Sequence, residues 1–368
     1  MRKPANHHTI VIGGGQAGLV AGYELRKRGV DFVILDASNR IGDAWRNRWD
    51  SLRLFTPAHM NGLPGMPFPA DDNDFVGKDQ VADFLEKYAA VMELPVRSGV
   101  RVSNLEAVGD GFRVATAAGE IMRADNVIVA MADYQKPHVP RFAANISSDV
   151  YQVHSSRYRN PRELREGEVL VVGFGNSGTD IAMDVSQTHP TVISGTPGPS
   201  IPFALESWFG VNIGTRLVKF ATLKVLSTST PMGRKARPTM LEAKKPPLVR
   251  VRPRELRRAG VRHVSRIVGV EGGRPVTADR EEIEAPNIVW CTGYRPGFAD
   301  WIDVPVLDAG GKPVHARGVT TVEGLYFLGL FFLHAVWSET IPGVQRDASY
   351  IVEHLAKHRP ASRPTIAS

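Results

Sequence analysis

Apolar and polar positions along this chain switch repeatedly between the period of a strand and that of a helix. His8 to Ile12 is a short apolar run rich in β-branched residues, the pattern of a buried strand. Leu19 to Arg28 has helical spacing and is closed by Gly29. Asp31 to Leu35 is a second buried run that ends at Asp36. Gly13-Gly14-Gly15-Gln16-Ala17-Gly18 stands between the first strand and the helix, so the segment reads as one βαβ unit. Ile41 to Pro69 holds four prolines and reads as a structured loop. Lys78 to Met92 has helical period. Val96 to Val102 reads as a strand, and Phe112 to Ala117 with Glu120 to Ala124 as a hairpin turning at Ala118-Gly119. Asn126 to Met131 is another buried strand.

The pattern then restarts. Glu168 to Val172 predicts a strand, Gly173-Phe174-Gly175-Asn176-Ser177-Gly178 a second glycine turn, Thr179 to Gln187 a helix, and Thr191 to Ser194 a strand. A hairpin around Gly272-Gly273, strands at Asn287 to Cys291 and Gly324 to Leu330, and a helix from about Val344 to Lys357 complete the chain. The two βαβ starts lie 160 residues apart (173 − 13), too far for a solenoid repeat and suited to two nucleotide-binding domains. The fold class expected is α/β with two Rossmann-like units.

Composition narrows the picture without redirecting it. At 368 residues, 43% apolar and 23% charged, the chain fits a folded protein of two or three domains. No run of 18 apolar residues occurs, so no spanning segment is expected. There is no signal-peptide pattern, and a single cysteine, Cys291, excludes an intrachain disulfide and a CxxC redox pair. A cytoplasmic setting is expected. The net charge of +7 is concentrated: Val211 to Arg262 holds fourteen Lys/Arg and two acids, a local +12, leaving −5 for the rest. One basic insertion, not general basicity, sets the balance, and no nucleic-acid partner is expected. Its readings are a solvated helical insertion or a weak peripheral contact with anionic lipid, with Leu217 to Leu226 as an amphipathic helix.

Each glycine turn has GxGxxG spacing, Gly13/Gly15/Gly18 and Gly173/Gly175/Gly178, and each sits between a strand and a helix. The first glycine permits the tight turn, the second lets a pyrophosphate approach the backbone, and the third lets helix and strand pack closely. The helix N-terminus adds free N–H groups and a positive dipole end. The second strands end differently. Asp36 stands 23 residues after Gly13, where a carboxylate accepts ribose hydroxyls and repels a 2′-phosphate, suiting FAD or NAD. The matching place in the second unit is Gly195, flanked by Ser194 and Thr196, with no acid and no arginine. That end suits NADPH or NADH with modest discrimination. Two dinucleotides on one chain imply hydride transfer between them.

Further segments resemble those of the flavin-containing monooxygenase family, and of its short bacterial and plant YUCCA-type members in particular. Gly42-Asp43-Ala44-Trp45 resembles the family's GGxW, and Trp49 to Pro57 the segment beneath the flavin ring. His154-Ser155-Ser156-Arg157-Tyr158-Arg159 resembles the fingerprint before the second Rossmann strand, and Cys291 to Pro296 the turn where the chain returns to the FAD domain. The resemblance implies an FAD domain formed by residues 1–160 and 292–368, split by an NAD(P)H domain at 161–291. It implies an enzyme in which NAD(P)H reduces FAD and O2 adds to give a C4a-hydroperoxyflavin. One oxygen atom then passes to a small organic substrate, by heteroatom oxidation or Baeyer–Villiger chemistry. Placement and water exclusion outweigh acid–base catalysis in such a site.

The FAD contacts implied are Gly13, Gly15, Gln16, Ala17, Gly18, Asp36, Ala37, Trp45, Arg46, Leu54, Thr56, Val102, Ala130 and Gly329. Those to NAD(P)H are Gly173, Gly175, Asn176, Ser177, Gly178, Ser194, Thr196 and Thr292. Phe55, Thr56 and Asn176 are the flavin-site candidates, and no side chain is assigned as a catalytic acid or base. His154 reads as a hydrogen-bonded hinge, Cys291 as a buried small residue, and no metal site is expected. Two other functions remain open at this point: an NAD(P)H oxidase or reductase that oxygenates nothing, and a non-catalytic nucleotide-binding regulator. A monomer or homodimer is compatible with the sequence.

Overall fold

The computed structural model describes residues 5–243 and 246–358. Two sheets organise it. In the first, β1 (Ala5–Ile12) is central, with β2 (Phe32–Leu35) and then β3 (Val96–Arg97) on one side. On its other side the order runs β6 (Ile121–Val129), β5 (Gly111–Thr116), β4 (Val102–Val108) and the late strand β12 (Ile302–Asp303). β6 serves two layers: its first half pairs antiparallel with β5, its second half parallel with β13 (Leu325–Phe327). The second sheet is all parallel, in the order β10 (Arg262–Val264), β9 (Thr191–Ser194), β8 (Val169–Val172), β11 (Asn287–Trp290), β7 (Tyr151–His154).

β2 (FVIL) and β8 (VLVV) are apolar and buried at every position, the pattern of strands covered on both faces. Ile10, Val11, Ile34, Val127, Ile128 and Val171 are wholly inaccessible. In the first unit α1 (Gln16–Lys27) packs beside the last helix, Ile341–Lys357, and in the second the helix Asn176–Val185 covers β8 and β9. The loop 41–69 joins the two bodies: Trp45 packs against the first core, while Trp49 is buried in the second with Tyr158.

The structure departs from the sequence reading in four places. Val96 to Val102 is not one strand. It breaks at Gly99 (φ +73°), because Gly99 N–H donates to the Ser38 carbonyl and Val100 N–H to that of Asp36, which draws the chain to the tip of β2. Glu120–Ala124 and Asn126–Met131 are one strand, β6. A polar helix at Pro231–Ala243, with Pro238 inside it, lacks the apolar spacing that would announce it. β7 falls before residue 160 yet pairs with β11 in the second sheet. The chain passes between the bodies twice, and the two passages pair as a ribbon, Lys136–Pro137 with Tyr294–Arg295.

Candidate cofactor site

The first glycine turn is built by close approach. Gly13 has φ +111°, and a Cβ there would lie 2.7 Å from the Ala130 carbonyl oxygen. A Cβ on Gly18 would lie 1.8 Å from the Gly13 oxygen, so only glycine lets α1 seat against the turn. Gly15 is different: a Cβ there meets nothing within 4 Å, and its backbone (φ −76°, ψ −174°) suits any residue. The space in front of it is therefore left open by the fold, beside the first-turn amides of Gln16 and Ala17, which have no i−4 carbonyl to bond. Asp36 stands at the rim. Its Oδ2 accepts from Gly14 N–H at 2.5 Å and its Oδ1 from Ser38 N–H at 2.6 Å, fixing a half-buried carboxylate with lone pairs to spare.

The second turn repeats the first nearly atom for atom. Gly173 has φ +122° with its would-be Cβ 2.2 Å from the Cys291 oxygen, a Cβ on Gly178 would lie 1.9 Å from the Gly173 oxygen, and one on Gly175 again meets nothing within 4 Å. The strand-end bonds match too: Gly13 N–H to Leu35 O at 2.8 Å, Gly173 N–H to Ser194 O at 2.9 Å. The rim is where they part. Gly195 (φ +134°) carries no side chain, and the exposed His263 donates from Nε2 to its carbonyl at 2.7 Å while its ring sits edge-on to Phe174 at 4.9 Å.

Both turns fit a pyrophosphate by shape and by amide supply. The fate of the other sequence candidates is mixed. Ala17 lies against Gly329, whose Cβ would stand 3.0 Å from the Ala17 Cβ, and Gln16 Nε2 donates to the Glu339 carbonyl at 3.2 Å. Ala37 is exposed beside Asp36, Leu54 is buried, and Ser177 lies in the first turn of its helix, half-buried. Thr56, only 4% exposed, donates to Asn61 Oδ1 at 2.6 Å, and Asn61 Nδ2 returns bonds to the Thr56 and Pro57 carbonyls. Phe55 meets Trp337 at 5.7 Å between ring centroids, making an aromatic wall with the loop 331–340. Trp49 adds a buried indole N–H that has no partner among the described residues.

Five candidates are committed elsewhere. Arg46 bonds the Ile41 carbonyl and the carboxylates of Asp83 and Glu86, so its charge is already matched. Asn176 commits its amide to the basic insertion: its Nδ2 donates to the Pro247 carbonyl at 3.0 Å and its Oδ1 accepts from Val249 N–H at 2.9 Å. It holds the end of the basic insertion over the second turn. Ser194 is 1% exposed, its Oγ donating to Ser265 O and accepting from Ile267 N–H, whereas Thr196 is exposed and has room for a ligand. Thr292 Oγ1 donates to the His138 carbonyl. Val102 begins β4, and Val100, not Val102, bonds the Asp36 loop. Sequence reasoning missed His263, Asn61 and Trp337, which only tertiary contact brings into place.

His154 acts as a hinge pin. Its Nδ1 accepts from Ser156 N–H at 3.1 Å, so its Nε2 carries the proton donated to the Gly293 carbonyl at 3.1 Å, and burial lowers its pKa. In the same fingerprint, Tyr158 donates to Asp184 Oδ2 at 3.0 Å and ties the segment to the second helix. Burial pushes the Cys291 thiol up to about 12, which leaves it inert as a nucleophile near neutral pH. Burial also raises Asp180, to about 6. Among the described residues no group of side chains is arranged to hold a metal ion, and no helix is long and apolar enough to cross a membrane.

A mixed sheet and an all-parallel sheet, each with a glycine cradle at a strand–helix turn, define a flavoprotein of the two-dinucleotide class. Residues 10–203 match the family described as pyridine nucleotide-disulphide oxidoreductase. A CzcO-like oxidoreductase of Geobacillus kaustophilus is 40% identical over 364 residues, covering 95% of this chain and 98% of its own length. The indole-3-pyruvate monooxygenase YUCCA1 of Oryza sativa is 27% identical over 317 residues, covering 80% of this chain and 78% of its own. The solved flavin-containing monooxygenase of Stenotrophomonas maltophilia superimposes with a TM-score of 0.77 at 27% identity, covering 96% of this chain and 99% of that one. The chain belongs to the pyridine nucleotide-disulphide oxidoreductase family and, within it, to the flavin-containing monooxygenases. It is an FAD- and NAD(P)H-dependent oxidoreductase that uses O2.

Proposed function

We propose that FAD binds at the Gly13–Gly18 turn and NAD(P)H at the Gly173–Gly178 turn, and that the enzyme inserts one oxygen atom of O2 into a small organic substrate. On this reading residues 1–160 and 292–368 serve FAD, apart from β7, and 161–291 serve the nicotinamide. The observation that carries it is the open space in front of Gly15 and Gly175 in two otherwise closed turns. In both turns the clear position immediately precedes a helix N-terminus, where unbonded first-turn amides lie beside it.

FAD supplies the redox and oxygen chemistry when bound. This chain's residues do the rest. The amides of Gln16 and Ala17 bind the pyrophosphate, and Asp36 accepts from the ribose hydroxyls. Gly195 and Thr196 admit the second nucleotide with or without a 2′-phosphate, so NADH and NADPH both serve. Phe55 and Trp337 form an apolar wall that keeps water from the reacting centre, where leakage would waste reducing power as peroxide. His154 holds the crossing at Gly293 in register. We place the enzyme in the cytoplasm, as a monomer or homodimer.

Turnover under isotopically labelled O2 with sulfides, amines and ketones tests the reading. It expects label in one product class, coupled to NAD(P)H consumption. Complete recovery of the oxygen as peroxide with every class would make the protein an oxidase instead.

A further inference from the structure

The basic insertion carries a surface the redox chemistry does not use. Residues 208–225 form one continuous helical stretch, with wide π turns at Gly210–Gly214 and Ala221–Val225 around the α-helix Thr215–Phe220. Its inner side is set by Gly210, Gly214 and Thr215, which are buried. Its outer side is apolar and exposed: Trp208 is 74% exposed, Leu217 57% and Phe220 61%, with Ile213 and Phe209, whose ring meets Phe203 edge-on, between them. Met232 in the next helix is also 60% exposed. Six of the thirteen large apolar side chains exposed among the described residues thus fall within 208–232. A cluster of this kind marks an interaction surface.

Charge identifies the occupant. Between Trp208 and Ala243 stand Arg216, Lys219, Lys224, Arg234, Lys235 and Arg237 against the single acid Glu242, a net +5 (6 − 1). Among the described residues no carboxylate pairs with Arg216, Lys224 or Lys235. A second copy docked about a two-fold axis would set +5 against +5. An apolar helix face rich in aromatics and rimmed by unpaired cations is complementary to an anionic bilayer. We infer that the outer face of residues 208–235 is an interfacial docking surface for a membrane bearing anionic lipid.

The docked element reaches the redox site. Thr228 N–H donates to the His334 carbonyl at 2.7 Å, Val336 N–H to the Leu226 carbonyl at 3.2 Å, and Arg346 Nη1 to the Leu223 carbonyl at 2.9 Å. The loop held this way is the one that carries Trp337. A bilayer bound at the helix would therefore lie one element away from the aromatic wall.

Flotation of the full-length holoprotein with vesicles of phosphatidylcholine, alone or mixed with phosphatidylglycerol, tests the inference. Binding is expected only with phosphatidylglycerol and falls as salt rises. The double substitution Leu217→Asp/Phe220→Asp should weaken it by about tenfold or more while flavin content and NAD(P)H oxidation stay unchanged. Bromolipid should quench tryptophan emission in the wild type, and Trp208→Phe should remove that component. No flotation with either vesicle overturns the inference. So does a dimer in sedimentation that Phe220→Asp dissociates, since a second copy would then cover the face. Vesicle binding that survives the double substitution would place the contact elsewhere and overturn it as well.

Discussion

The two glycine turns of this chain are nearly the same object, and their strand ends are not. Both close with a first glycine in the left-handed region against a neighbouring carbonyl and a third glycine whose Cβ, were there one, would fall under 2 Å from the first one's oxygen. Both leave the second position clear. What differs is one residue at the rim, Asp36 in the first and Gly195 in the second, with His263 bonded to the latter's carbonyl. Shared backbone geometry gives shared pyrophosphate binding, and the rim decides which nucleotide sits where. A carboxylate held by two backbone amides wants ribose hydroxyls; a bare glycine tolerates either ribose or its phosphate.

The largest effects come from the glycines themselves. Gly18→Ala should cost at least about 3 kcal/mol, because its Cβ must push backbone rather than a flexible side chain, and thermal unfolding will read it. Gly15→Val should lower the melting temperature of the apoprotein only slightly, as a change at the helix N-cap, and yield colourless protein, since the new side chain points into the space meant for the pyrophosphate. Next comes the rim. Asp36→Ala removes a charged acceptor and should weaken FAD by about 10–100-fold, measured by flavin titration of the apoprotein. At the other rim, Thr196→Arg should raise the NADPH-over-NADH ratio of kcat/KM by about tenfold, while the wild type stays within a hundredfold between the two.

The smallest effect is on stability. Burial raises Asp180 to about 6 in the folded chain, above its ordinary carboxyl value. Its protonated form is favoured on folding, so its stabilising contribution is complete below about pH 4 and is lost as the pH rises through 6. Asp180→Asn should therefore raise stability at pH 8 by about 1–2 kcal/mol and change little at pH 4, as denaturant midpoints at the two values will report.

Much of this architecture was legible in the order of residues. Strands buried on both faces read as plain apolar runs, and a glycine triplet between strand and helix has few other uses. The site was less legible beyond its backbone. Arg46, Asn176 and Ser194 match a family pattern by position, yet each spends its polar atoms inside the protein, and only their partners Glu86, Val249 and Ser265 reveal that. Trp337 and His263 reach the site from distant segments by tertiary contact alone. The helix Pro231–Ala243 was hidden because its polar composition carries no buried stripe, and Val96–Val102 misled because the turn at Gly99 is set by β2, far away in sequence.

The account stands or falls on electrons crossing from the second turn to the first. Anaerobic mixing of NADPH with Gly175→Val, which alters only the clear space of the second turn, tests this most directly. The account predicts a yellow protein with full flavin content whose absorbance NADPH fails to bleach, while dithionite bleaches it and NADPH bleaches the wild type. Bleaching of the variant at the wild-type rate would contradict it.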